Sequence, residues 1–180
     1  KFIERDNFIN ISMNNQSFRY SNKEKSFKRN NRLIKYILTE FTKSNQADIV
    51  VDKENMTIEH LIPDQGLSDS SYLGNLVLVT AHVNSELLQN KQIVDKINIL
   101  STDSSFNVNK SLDKYLNEDN TFDIQTRGKD IYSKLYDKIF YYDSSPFNLN
   151  NEDINIYFET YDKVKEYPEL LNILKEKGKH

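Results

Sequence analysis

Apolar positions change their spacing several times along this chain, and each change marks an element. Leu33, Ile34, Ile37, Leu38 and Phe41 recur at helical intervals, with Arg32, Lys35, Glu40 and Lys43 mostly on the other side. The spacing predicts a helix over about 31–43. Residues 44–53 form a connection in which Ile49-Val50-Val51 reads as a short strand. Two strand-like runs follow, 56–62 and 76–80, joined by a polar loop from Asp64 to Ser71. Pro63 ends the first because it has no N–H for a ladder. In the second, Leu76, Leu78 and Thr80 alternate with Val77 and Val79, so both faces are apolar and both are expected to be covered.

Asn84-Ser85-Glu86 reads as a helix start. Leu87, Leu88, Ile93, Val94, Ile97 and Leu100 then supply one apolar face over about 84–100, with a break expected near Asn90. Residues 101–120 are polar and predict a long loop with one helical turn near 112–116. Ile131, Tyr132, Leu135, Tyr136, Ile139 and Phe140 predict a further helix over about 124–141. Past Pro146 the pattern suggests a strand at 154–158 and a short helix at 168–177, where Pro168 suits a first turn. Residues 1–30 have room for a short helix whose place the pattern does not mark. The fold class is α+β, mainly helical: one hairpin and its following helix, surrounded by additional helices. The organisation is a basic N-terminal segment at 1–30, a central domain at 31–141 and a C-terminal extension at 142–180.

Composition narrows the class. The chain has 180 residues, and its 11 Tyr and 10 Phe can supply much of one modest core. It contains no Cys, which excludes a thiolate zinc site and a disulfide framework and suits a cytoplasmic protein. No apolar run is long enough to span a membrane, and Lys1 to Asp6 is not a signal peptide. A net charge of −3 does not advertise nucleic-acid binding, but its distribution does. Residues 1–50 hold 10 Lys/Arg against 5 Asp/Glu, whereas the rest of the chain is acidic. Lys23, Lys25, Lys28 and Arg29 lie within a basic stretch, Arg19 to Lys35, that can neutralise phosphates. The alternative is a solvated face.

The candidate chemistry lies in 57–91, TIEHLIPDQGLSDSSYLGNLVLVTAHVNSELLQNK. Glu59, His60, Asn75 and Asn84 stand beside apolar runs. His60 is followed by Asn75 after 15 positions and Asn84 after another 9. Phosphodiester hydrolysis needs a base to take a proton from water and a divalent cation to bear developing charge. Imidazole is the natural base near neutral pH, and a carboxylate with an amide oxygen suits a hard cation. Adjacent strand residues point to opposite faces, so a bend or bulge near Pro63 is expected to turn Glu59 and His60 together. Asn75 is then placed to hold the His60 ring. His82 competes with Asn84 as a ligand, since the strand-to-helix turn can aim either inward; Asn84 is preferred. Each residue also has a plainer reading: a satisfied half-buried His, an exposed carboxylate, a turn Asn and a helix-capping Asn.

The strings TIEHLIP, LGNLVLVT and NSELLQNK, followed by Lys96, resemble the HNH (His-Me finger, ββα-metal) nucleases. Within them they resemble the C-terminal nuclease domain of GmrSD-type restriction proteins. RLIKYILTEF is similar to the helix entering that domain and IQTRGKDIYSKLYDKIF to its closing helix, so the resemblance spans about 30–141. It implies a ββα-metal core and cleavage of DNA dependent on Mg2+ or Mn2+. By motif position, His60 is the general base and Asn75 its orienting residue, Glu59 and Asn84 are metal ligands, and Arg127 and Lys91 contact DNA phosphate. It also implies a bacterial anti-phage role, with modified phage DNA as a substrate. An N-terminal NTP-using sensor domain or partner subunit is expected outside this chain, which has no Gly-rich phosphate loop. The chain has no Trp where the family commonly has one before the closing helix; Phe122 is the nearest substitute. The competing function is a non-catalytic nucleic-acid-binding or interaction domain on a retained HNH scaffold.

Overall fold

The computed structural model describes residues 3–139 except Lys53. The strand expected at 154–158, the helix at 168–177 and the last residues of the closing helix lie outside them. The described part is mainly helical around one small sheet, in agreement with the expected α+β class. Strand β1 (Met56–His60) pairs antiparallel with β2 (Leu76–Thr80), setting Glu59 opposite Val77 and His60 opposite Leu76. Alternation gives the hairpin two faces. Met56, Ile58 and His60 share one with Leu76 and Leu78, and Thr57 and Glu59 share the other with Val77 and Val79.

Each face has its own cover, as the apolar pattern of β2 requires. Helices α1 (Arg5–Asn14), α3 (Asn31–Asn45) and α6 (Ile124–Ile139) cover the first, with α2 (Lys25–Lys28) a single turn before α3. Ile9, Met13, Ile34, Ile37, Leu38, Ile131, Tyr132 and Leu135 fill that layer. Thr39 and Thr42 share the buried side of α3 because each hydroxyl donates to a carbonyl one turn back, on Lys35 and Leu38. A π-helical turn (Val83–Leu88) and α4 (Ile93–Asp103) cover the second face, followed by α5 (Asn107–Lys110) and a tighter turn (Leu112–Tyr115). Val83, Leu88, Ile97, Leu100, Leu112, Tyr115 and Phe122 fill that layer. Phe122, the aromatic before the closing helix, packs edge-on against Tyr115.

Three local features differ from the sequence reading. β1 ends at His60, two residues early, because the Asn75 side chain takes over the next pairing. Its Oδ1 accepts from Ile62 N at 2.8 Å and its Nδ2 donates to Ile62 O at 2.8 Å. Ile49–Val51 forms no strand; Val50 is exposed, and among the described residues the sheet has only β1 and β2. The break expected near Asn90 is present: Gln89 adopts a positive φ of 32° after the π-helical turn, and α4 restarts at Ile93. The segment before Asn31 packs into the main body. α1 lies against α6, Tyr20 N donates to Ser71 O at 2.9 Å, and Arg19 bridges to Tyr72.

The closing helix docks on the turn that opens β2. Gly74 lies so close to α6 that a Cβ there would overlap Ile124 O and sit 2.9 Å from Gly128 N. Arg127 reaches in beside it and donates from Nη1 to Gly74 O at 2.7 Å and Leu76 O at 2.8 Å. Burial pushes its guanidinium down to about 10, still cationic at neutral pH.

Candidate active site

β1 delivers Glu59 and His60 to a cleft of about 360 Å3 whose walls include Asn22, Lys23, Asp64, Gln89, Asn90 and Lys96. No bulge is needed to bring them together. The two side chains leave a regular strand on opposite faces, and the cleft takes in both because it lies at the strand's end. Gln89, with its positive φ, forms part of the wall, so the break between the π-helical turn and α4 opens directly onto the site.

His60 is buried and stacks on the Tyr20 ring, with centroids 5.7 Å apart and planes 19° from parallel. Its Nε2 lies 3.1 Å from the backbone oxygen of Tyr20. A carbonyl only accepts, so Nε2 carries the proton and a neutral ring keeps its lone pair on Nδ1. Asp64 Oδ2 stands 4.0 Å from the same Nε2. Asp64 is itself seated by Ser21 Oγ at 2.7 Å, Asn22 N at 2.7 Å and Gly66 N at 2.9 Å. Burial works to raise its carboxyl, but the donors from Gly66, Ser21 and Asn22, with His60 nearby, outweigh that and hold it below the usual carboxylate range.

Asn75 makes no hydrogen bond to the His60 ring. Fully buried, it spends its side chain on Ile62 N, Ile62 O and Ser70 O, bracing the loop after β1. The group that fixes the ring is the Tyr20 carbonyl. Glu59 Oε1 accepts from Lys96 Nζ at 2.5 Å, and the same ammonium donates to His60 O at 2.7 Å. Asn84 sits in the π-helical turn and donates from Nδ2 to Thr57 Oγ1 at 3.0 Å. Thr57 and Glu59 share a strand face, so Asn84 is tied to the side of the sheet that bears Glu59. His82 is exposed and pairs with Glu86 at 3.0 Å, outside the cleft lining.

Among the described residues, no three His, Cys, Asp or Glu side chains lie close enough to enclose an ion. An open site of the magnesium type needs less: one or two protein oxygens, with water and phosphate supplying the rest. Glu59 Oε2, on the cleft wall, and Asn84 Oδ1, on a residue outside the cleft lining, are the candidate oxygens. Both are hard oxygens, and neither accepts a hydrogen bond from the described residues.

The expected phosphate contacts divide. Lys23, Lys25, Lys28, Arg29 and Lys91 are exposed, and Lys23 lines the cleft. Arg127 is 1% exposed and committed to two carbonyls of its own chain, so its guanidinium braces the fold and faces no solvent.

Three residues that bear on Glu59 or His60 escaped the sequence reading as functional groups: Tyr20, Asp64 and Lys96. Tyr20 acts through its backbone, for which a side-chain pattern carries no signal. Asp64 reads as an ordinary loop acid. Lys96 had a signal. It shares the apolar stripe of Ile93, Ile97 and Leu100, and a lysine on a buried face needs an anionic or carbonyl partner.

Compared with known families, residues 12–134, more than half of the chain, match the model described as GmrSD restriction endonucleases, C-terminal domain. No curated protein and no solved structure matched the chain. No helix among the described residues is long and apolar enough to cross a membrane.

Proposed function

Because this chain belongs to the family of GmrSD restriction endonuclease C-terminal domains, we propose that it is an HNH-type, metal-dependent DNA endonuclease domain acting in restriction of phage DNA. The observation that carries this reading is the state of His60. Its Nε2–H is spent on the Tyr20 carbonyl, which leaves Nδ1 as the ring's acceptor, and His60 is among the residues that line the open cleft. In this reading, Nδ1 takes the proton from the attacking water, and the Tyr20 carbonyl supports the imidazolium that results. Glu59 and Asn84 would hold Mg2+ or Mn2+ through one oxygen each. A divalent cation there supplies charge neutralisation at the phosphate and the leaving oxygen. Lys23 at the cleft, with Lys25, Lys28, Arg29 and Lys91 on exposed surface, would draw in the DNA backbone. The unit we assign to this work is residues 31–141 with the basic segment before it; a sensor domain or partner subunit would supply control and choice of modified DNA.

The test is cleavage of supercoiled plasmid by the purified chain with Mg2+, with Mn2+ and with excess chelator. Nicked or linear product with either ion, and none with chelator, is expected. DNA binding without cleavage under all conditions would favour the non-catalytic alternative.

A further inference from the structure

The cleft holds a cation of its own. Lys96 Nζ lies between the two residues assigned to chemistry, donating to Glu59 Oε1 and to the backbone oxygen of His60. The lysine side chain is 3% exposed, against 14% for Glu59. A buried ammonium needs such partners. The reverse also holds: the carboxylate assigned to the divalent ion is already neutralised, and one of its oxygens is taken. Only Oε2 is left for an incoming ion, so a bidentate grip on it is blocked while Lys96 stays in place.

We propose that Lys96 is a resident counter-cation for Glu59, a positioning residue that holds the carboxylate in register and weakens ion binding by the free domain. This rests on Glu59 being a metal ligand, as proposed above. An incoming dication meets a fixed positive charge at short range, in a place where solvent screens little. It must share Glu59 with the ammonium or displace it. Displacement frees an N–H donor on the cleft wall, since the ammonium carries three and the His60 carbonyl keeps one. A phosphate oxygen entering the cleft is the chemical partner for that donor. Ion uptake and the arrival of DNA are thereby made mutually favourable.

Calorimetric titration of Mn2+ into the wild-type chain and the K96M, K96Q, K96R and E59Q variants, without DNA, tests this. K96M and K96Q lose the competing charge and should bind Mn2+ at least about fivefold more tightly than wild type, while K96R keeps it and should stay within about twofold. A purely structural lysine gives the opposite sign, because loosening Glu59 weakens binding. Equal or weaker binding by both neutral variants, with E59Q still impaired, overturns the counter-cation role and leaves the ligand assignment standing. Mn2+ binding by E59Q equal to wild type overturns the ligand assignment itself. Should the neutral variants not fold, lysine 13Cε resonances of the wild-type chain carry the test. Mg2+ should move the one signal missing from K96R, saturating with the ion, and an unmoved signal overturns the proposal.

Discussion

At the scale of single residues, the candidate site turns on how His60 is held. Its ring is fixed by a stacked tyrosine and by a backbone carbonyl that accepts from Nε2. A general base contributes about 10²–10⁴-fold, so His60→Ala should lose most plasmid cleavage. It should still bind Mn2+ by calorimetry, because no oxygen ligand is removed; loss of ion binding would reassign His60 as a ligand. Asp64 bears on the same ring through the turn it anchors. Its folded-state pKa is depressed, so the stability it contributes is full above the unfolded value of about 3.9 and is lost as pH falls through the lower folded value. Asp64→Asn should therefore flatten the acid side of a urea-denaturation series run from pH 6 to pH 2.5. A parallel acid limb in both proteins would mean that Asp64 is not preferentially ionised in the fold.

Among elements, the seam between α6 and the turn opening β2 decides whether the strands reach the site in register. Arg127 satisfies two carbonyls there, and Gly74 leaves no space for a side chain. Arg127→Met keeps bulk but strands those acceptors, each costing about 1–3 kcal/mol. A loss of about 2–5 kcal/mol in chemical denaturation is expected. Gly74→Ala forces α6 away from the turn and should cost about 3 kcal/mol or more. Arg127→Met with unchanged stability and weakened DNA binding would restore a phosphate role for this arginine.

At the scale of the described fold, the basic stretch and the candidate site are linked through one segment of chain. The N-terminal segment that carries Lys23, Lys25, Lys28 and Arg29 also supplies Tyr20 and Ser21 to the His60 and Asp64 bonds. In the proposed function, substrate attraction and assembly of the base would share one stretch of chain. Neutralising those four cations should weaken DNA binding and flatten its salt dependence by up to about 0.9 in log–log slope per lost phosphate contact. Mn2+ affinity without DNA should not change when only Lys25, Lys28 and Arg29, which do not line the cleft, are neutralised. An unchanged slope in fluorescence-anisotropy titrations at several salt concentrations would reduce the patch to a solvated face.

Periodicity alone carried the α3 and α6 helices, the hairpin and the two-sided burial of β2, because each is written in spacings of a few residues that solvent exclusion reads directly. Motif order marked Glu59, His60, Asn75 and Asn84 as a group, since a site built on one hairpin and its following turn keeps its residues close in sequence. The tertiary structure decided what those residues touch. Asn75 binds the loop rather than the ring, Glu59 is paired with a lysine 37 positions away, and Tyr20, 40 positions before His60, fixes the imidazole proton. Such bonds join a backbone atom or a long side chain to a partner brought near only by packing of the two layers. A one-dimensional pattern has no period for that. Arg127 shows the same limit: a charge at a family position reads as a phosphate ligand until the helix packs, and then two unmet carbonyls 51 and 53 positions earlier claim it.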